Sequence, residues 1–452
     1  MTKQQSYNIR NIALDLLMRI SDQGGYSHLV IDQMLKKHQL EPRDGGLLTE
    51  IVYGTLQRKL TLEYDLNTFI KSNKKIDTWV KWLLYLSFYQ MKYLDKVPDH
   101  AVIHESVEIA KRKGHKGIAN FVNGILRSAQ RDGFPDYQLI NDPVKRVSIE
   151  TSHPLWLVKR WNQQYGIETT EQMCQTNITH KQVSIRVQPL RITRRQLLSR
   201  LEDSHIGTRL SSFSEQGLVI EEGNILKDET FQEALFTIQD ESSMLVAELM
   251  DLKEGMTVLD ACSAPGGKAT HIAEKMNDSG TVLAYDLHAK KAELVNKKAK
   301  ELGLTSIQAA QSDARKLQEK HVNHTFDRIL IDAPCSGLGV LRSKPDIKYN
   351  KTSEDIRKLA TIQKEILHHV EPLLKNEGKL MYSTCTVDQE ENEEVIKDFL
   401  AKHPAYRVDT AFFAELPEVL QDSSGRSEWG IQIFPQDINS DGFFMTRLVR
   451  DS

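Results

Sequence analysis

Between residues 8 and 130, apolar side chains recur every three or four positions, the spacing that gathers them on one face of a helix. Ala13, Leu16, Leu17 and Ile20 form one such face, and Leu47, Leu48, Ile51, Val52 and Leu56 form a second. Val80, Leu83, Leu84, Phe88 and Met91 form a third. Pro98 interrupts it, and Asp99 is the expected N-cap of the next helix. That helix carries Val102, Ile103, Val107 and Ala110 and is expected to stop near Gly114. One more carries Ile118, Phe121, Val122, Ile125 and Leu126. No strand pattern interrupts, so the front of the chain predicts an all-α bundle whose stripes are its core.

The pattern is mixed over residues 141–235. Val183-Ser-Ile-Arg-Val alternates as a strand does, 194–201 reads as helix, and Leu218-Val-Ile and Leu235-Phe-Thr-Ile read as further strands. Arg191, Arg194, Arg195 and Arg200 cluster here, either as a solvated helix face or as a phosphate-contacting surface. From Gly255 the period changes again. Thr257-Val-Leu-Asp, Thr281-Val-Leu-Ala-Tyr-Asp, Phe326-Asp-Arg-Ile-Leu-Ile-Asp and Lys379-Leu-Met-Tyr-Ser are short apolar runs separated by amphipathic stretches. Such alternation predicts a parallel sheet with helices on both faces. Residues 429–434 and 443–449 read as a closing antiparallel pair. The expected organisation is a helical domain at 1–140, a small α/β domain at 141–235 and a Rossmann-like α/β domain at 236–452.

Composition adds limits. With 40% hydrophobic and 27% charged residues in 452, the chain is neither disordered nor fibrous. Its longest apolar run, residues 82–86, is too short to span a bilayer. The opening Met1-Thr-Lys-Gln-Gln-Ser-Tyr lacks an apolar segment, so no secretory signal is expected. Four cysteines without a CxxC pair point to free thiols and a cytoplasmic setting. The net charge of −3 conceals a gradient: +5 over residues 1–140, 0 over 141–235 and −8 over 236–452. A basic front beside an acidic back suggests separate tasks, with a polyanion partner for the front.

The candidate chemistry sits at the ends of the predicted parallel strands. Leu259-Asp260-Ala-Cys262-Ser263-Ala264-Pro265-Gly266-Gly267-Lys268 follows a strand and opens a helix, where glycines let backbone approach a ligand. It has neither the G-x-G-x-x-G nor the G-x-x-x-x-G-K-[ST] spacing. Asp286 ends the next strand, about twenty residues on, where an acid can bond ribose hydroxyls. Asp313, after a third strand, suits the adenine end of a cofactor or, equally, a helix N-cap. Asp332-Ala-Pro-Cys335 and Ser383-Thr-Cys385 each set a cysteine just past a strand. A pocket thiolate is a strong nucleophile. No His or Cys spacing supports a metal site.

These strings carry two resemblances. Ile51-Val-Tyr-Gly-Thr-Leu-Gln-Arg, Val97-Pro-Asp-His-Ala-Val-Ile-His-Glu-Ser-Val-Glu-Ile-Ala-Lys and Phe121-Val-Asn-Gly-Ile-Leu-Arg resemble the NusB-like RNA-binding bundle, over about residues 6–130. Gln239-Asp-Glu-Ser-Ser, the glycine loop, the two cysteine motifs and Asp441-Gly-Phe-Phe resemble the RNA 5-methylcytosine methyltransferases with paired cysteines, over about 145–449. The fusion is similar to the bacterial RsmB/Sun family. Ser263, Ala269, Leu338 and Lys344 are minor departures, whereas Gln188 replaces a usual Asn and bears on an expected RNA-side contact.

The resemblance implies S-adenosylmethionine as cofactor, held by residues 262–268, Asp286, Asp313 and Asp332. It implies attack on cytosine by Cys385, release aided by Cys335, activation by Asp332, and Lys268 beside cofactor or base. The expected partner is 16S ribosomal RNA, with another structured RNA as the alternative. No membrane is expected, and a monomer is. A nicotinamide oxidoreductase and an RNA-binding assembly factor with a relic pocket are the rival readings. The absent G-x-G-x-x-G and the complete set of side chains count against them.

Overall fold

The computed structural model describes residues 9–23, 30–31, 33–35, 40–70 and 75–450; the opening residues 1–7 lie outside them. The chain forms two compact units. One comprises residues 1–179 with 341–350, and the other comprises 180–340 with 351–452.

The first unit is helical among its described residues. Its helices include Ile9–Gln23, Pro42–Gln57, Lys59–Phe69, Thr78–Tyr93, Asp99–Lys113, Lys116–Asp132, Pro143–Glu150 and Leu155–Asn177. The periodic stripes make its core: Ala13, Leu16, Leu48, Ile51, Leu83, Leu84, Phe88 and Val122 are buried, with Leu47, Met91, Val107, Ile118 and Phe121 packed on their edge. One expectation is corrected by a residue. Asp99 is not the cap but the first helical residue, because extended Pro98 offers its carbonyl to the N–H groups of Ala101 and Val102. Asp99 then sits in the first turn, where a carboxylate favours the positive end of the helix. Gly54 permits a close crossing: a Cβ there would lie 1.9 Å from Cζ of Tyr89.

Residues 341–350 belong to this helical unit. Lys348 is buried there and donates to the carbonyl of Gln57 at 2.9 Å and to its Oε1 at 3.1 Å. Cys174 is buried in the same unit, and burial pushes its thiol up to about 12.

The second unit holds two sheets. Strands β1 (Val183–Val187), β2 (Thr208–Leu210), β3 (Gly217–Ile220) and β4 (Phe236–Ile238) form an antiparallel sheet in the order β2-β3-β1-β4. Ile185, Val187, Leu218 and Ile220 pack with Leu197 and Leu201 of helix Arg194–Asp203. The larger sheet takes β5 (Thr257–Asp260), β6 (Thr281–Asp286), β7 (Ile307–Gln311), β8 (Phe326–Asp332), β9 (Leu374–Thr384), β10 (Tyr406–Val408), β11 (Arg426–Ser427), β12 (Gly430–Ile433) and β13 (Phe443–Arg450). Its order is β11-β12-β13-β9-β8-β5-β6-β7, with β10 also on β13. Strands β5 to β9 pair in parallel, and β13 runs antiparallel between β9 and β12. The order turns at β5, so loops after β5, β8 and β9 meet at one crevice beyond the strand ends.

Arg186 of β1 ties the small sheet to the large one. It is fully buried and forms a bidentate ion pair with Glu274 of helix Gly267–Lys275, at 2.8 and 2.9 Å. Gln188 is buried as well, donating to the carbonyl of Leu302 and accepting from Leu190 N–H. It is an interior residue whose amide is spent inside the fold. Three of the four clustered arginines are committed too. Arg191 and Arg194 donate to backbone carbonyls, and Arg200 pairs with Glu233. Among the described residues, no helix is long and apolar enough to cross a membrane.

Candidate active site

The glycine loop is shaped by backbone contacts. Ser263 N–H donates to Tyr285 O and Gly266 N–H to Ser263 O, both at 2.8 Å. Gly266 has φ +99°, and a Cβ on it would come within 3.1 Å of Val295 Cα. Glycine is required there for both reasons. Helix Gly267–Lys275 starts from this turn, so its free N–H groups face the loop.

Acids line the loop. Burial, followed by the carboxylates of Asp260, Asp332, Asp286 and Asp313, pushes the Cys262 thiol well above its usual range. Four acids therefore surround one thiol. Asp286 accepts from His288 N–H at 3.0 Å. Asp313 caps the turn Ala314–Glu319 and is held by Arg315 at 2.8 Å, so the capping alternative is realised. The Arg315 hydrogen bond keeps the Asp313 carboxyl below its usual range. Asp260 was not singled out by the sequence. It is fully buried with no well-aligned hydrogen bond among the described residues, and burial, then nearby Asp332, pushes it up to about 7 against the weaker pull of Ser263 and the Cys262 N–H.

The remaining expected residues converge at the ends of β8 and β9. Lys268 Nζ lies 2.8 Å from Asp332 Oδ2, and Ser383 Oγ donates to Asp332 Oδ1 at 2.9 Å. Burial acts to depress the Lys268 ammonium, but Asp332 holds it above its usual value. The Phe443 ring sits 5.1 Å below the same ammonium. Cys335 Sγ and Cys385 Sγ are 3.4 Å apart. A hydrogen bond to Cys385, then burial, keeps the Cys335 thiol protonated well above its usual range.

Gly339 locks the two cysteine loops together. Its N–H donates to Cys385 O at 3.0 Å, and its carbonyl accepts from Gly442 N–H at 2.8 Å. A Cβ at Gly339 would lie 1.9 Å from Gly442 O. Lys181 joins two more of the resembling strings, bridging Asp240 and Asp441 at 2.6 Å each.

The cradle fits a cationic nucleoside cofactor. It offers a glycine turn that a Cβ would fill, a buried carboxyl with no well-aligned hydrogen bond among the described residues, and acids for an ammonium, a sulfonium and a ribose diol. With β13 antiparallel beside β9, this sheet and crevice define an S-adenosylmethionine-dependent methyltransferase of the Rossmann-like class.

Relatives narrow that class. Residues 247–449 match the family described as 16S rRNA methyltransferase RsmB/F, 7–131 match the NusB family, and 153–225 match the RsmF/B-like ferredoxin-like domain. The chain is 47% identical over 440 residues to the probable ribosomal RNA small subunit methyltransferase B of Bacillus subtilis strain 168, covering 97% of this chain and 98% of that one. A Synechocystis protein described in the same words is 32% identical over 444 residues, covering 98% and 99%. In fold, the crystal structure of PH0851 superposes with a TM-score of 0.79 at 24% identity, covering 99% of this chain and 100% of that one. The chain belongs to the RsmB family of small-subunit ribosomal RNA methyltransferases, with NusB, ferredoxin-like and methyltransferase domains. Its cofactor is S-adenosylmethionine.

Proposed function

We propose that this enzyme methylates carbon 5 of a specific cytosine in 16S ribosomal RNA through a covalent cysteine–cytosine intermediate. The observation that carries the reading is the pair of thiols 3.4 Å apart beside the Lys268–Asp332 ion pair. Carbon 5 of cytosine is a poor nucleophile. A thiolate adding to carbon 6 breaks the aromatic ring and makes carbon 5 enamine-like. Cys385 is that nucleophile: an S–C6 bond forms and the C5=C6 electron pair becomes available at carbon 5. S-adenosylmethionine supplies the methyl group from its sulfonium.

The chain's own residues prepare the step. The loop 262–268, Asp286, Asp313 and Asp332 hold the cofactor. Asp332, steadied by Lys268 and Ser383, accepts from the polar edge of the base and promotes its activation. Lys268 keeps a positive charge beside the reacting ring. The ring regains its double bond when the carbon 5 proton passes to water and the S–C6 bond breaks, its electron pair returning to the Cys385 sulfur. Cys335, in contact with Cys385, assists that release. The base must leave any stack to reach these thiols, so a loop or splayed strand is the expected target.

The test is incubation with methyl-labelled cofactor and unmodified small-subunit RNA, then mapping of 5-methylcytosine. Cys385→Ala should abolish transfer while cofactor still binds; undiminished turnover refutes the nucleophile. Cys335→Ala should accumulate a protein–RNA adduct on denaturing gels, and no adduct refutes the release role. Methylation confined to another structured RNA would replace the substrate but not the chemistry.

A further inference from the structure

Behind the two cysteines lies a buried carboxyl that the proposed mechanism does not use. Glu391 is fully buried, and its two oxygens take three donors. Oε1 accepts from Ser336 N–H at 2.8 Å and from Gln363 Nε2 at 3.0 Å, while Oε2 accepts from the Ser336 hydroxyl. With its own hydrogen committed to Glu391, Ser336 Oγ is left to accept from the Thr386 hydroxyl at 2.9 Å. Ser336 follows Cys335 and Thr386 follows Cys385. One carboxyl therefore holds the residue after Cys335 directly and, through its hydroxyl, the residue after Cys385.

The neighbouring contacts act on the same two loops. Gln363 Nε2 also donates to Pro334 O at 2.9 Å, immediately before Cys335. Tyr382 Oη donates to the Glu391 carbonyl at 2.7 Å, and Thr384 Oγ1 to Asn392 Oδ1 at 2.6 Å. Asn392 Nδ2 donates in turn to Thr386 O at 3.2 Å. Side chains alternate along an extended chain, so Tyr382, Thr384 and Thr386 face Glu391 and Asn392. Ser383 and Cys385 face the other way, toward Asp332 and Cys335. The Glu391 carboxylate bonds to Ser336 and Gln363, and its charge adds to what holds the Cys335 thiol protonated. It grips the reverse side of both loops.

We propose that Glu391 is a positioning residue that sets the separation of Cys335 and Cys385, acting through Ser336 and Thr386. Its bearing on catalysis rests on the cysteine chemistry proposed above, but the geometric claim stands apart from it. A buried acid with three donors is costly to misplace, since each unmet donor would be left without water. Shifting Glu391 frees the Cys335 loop and, through Ser336, the Cys385 loop, because among the described residues Glu391 is the side chain that accepts from Ser336 N–H.

The experiment uses the full chain without RNA or cofactor and a short bifunctional thiol reagent that bridges adjacent sulfurs. In the wild type the reagent should link Cys335 to Cys385. Glu391→Ala should slow bridging at least about tenfold, the scale of losing a charge-assisted hydrogen bond. Glu391→Gln should stay within about threefold of wild type, because its carbonyl can accept from Ser336 N–H and its amide can donate to Ser336 Oγ. In methyl transfer, Glu391→Ala should lose kcat with KM for RNA and cofactor affinity unchanged. Wild-type bridging in a folded Glu391→Ala protein overturns the proposal, as does a Glu391→Gln variant as impaired as Glu391→Ala. If Glu391→Ala does not fold, Ser336→Ala decides: slowed bridging supports the proposal and unchanged bridging overturns it. A wild-type enzyme that bridges normally yet makes no 5-methylcytosine refutes the proposed reaction and leaves the Glu391 result intact.

Discussion

Replacing Arg186 by methionine isolates the link between the two sheets of the second unit. All five guanidinium N–H groups are committed. They go to both oxygens of Glu274, to Thr270 Oγ1 at 3.0 Å, to Gly267 O at 2.7 Å and to Gln239 Oε1. Methionine fills much of the volume but leaves Glu274, 1% exposed, with the Gln216 amide at 3.2 Å as its hydrogen-bond donor and Lys298 as the nearby cation, among the described residues. Stranding one member of a buried pair costs about 3–5 kcal/mol. For a unit of this size that corresponds to a fall in Tm of about 5–9 °C. Scanning calorimetry, which separates the transitions of different units, measures it. The double variant Arg186→Met with Glu274→Leu should regain most of the loss, because an apolar pair carries no stranded charge. Because Arg186 also holds Gly267, the single variant should weaken S-adenosylmethionine binding as well. A single-variant cost below about 1 kcal/mol, or a double variant no better than the single, would refute the reasoning.

Other expectations follow from single contacts. Asp260 has its carboxyl raised to about 7 from 3.8, so the native state holds a proton that the unfolded chain has lost between those values. Its contribution is present below about pH 4 and is lost as pH rises through 7, so Asp260→Asn should gain on wild type by up to about 4 kcal/mol between pH 4 and 7. A parallel pH dependence of the two proteins in urea titrations would contradict this. Gly54→Ala should destabilise the helical unit by about 1–3 kcal/mol through overpacking on Tyr89, and Tyr89→Leu should relieve it, as circular dichroism melts would report. Cys174 should resist alkylation until the protein unfolds while half-buried Cys385 reacts, which peptide mass mapping can follow.

Much of the framework was legible in the residues because it is encoded locally. The strands Thr257–Asp260, Thr281–Asp286 and Phe326–Asp332 run where the apolar stretches run, each ending in an acid at the crevice. The five helical stripes also reappear as core, for the same reason. What was not legible depends on distant partners. Short strands β10 and β11 gain their extended form only by pairing with β13 and β12. Gln188 reads as a variable contact residue, yet its amide is spent on Leu302, more than a hundred residues away. Within the site, the loop and the cysteine pair were visible as strings. The burial of Asp260 and the grip of Glu391 were not, because an acid in sequence carries no mark of who surrounds it. The one-residue shift at Asp99 is the ordinary ambiguity of a Pro-Asp helix start.

The ten residues 341–350 have a bearing on ancestry and on dissection. The chain passes from the helical unit to the catalytic one, back for these ten residues, and out again. A front module joined end to end would cross once. Here the return stretch, directly after the Cys335 loop, needs Gln57 to satisfy a buried lysine. A fragment starting at His180 would carry Lys348 without that acceptor, and one ending at Thr179 would lack the lysine altogether. No single cut therefore frees either half intact. A front module grafted from another chain would need residues 341–350 to come with it to keep this buried lysine satisfied.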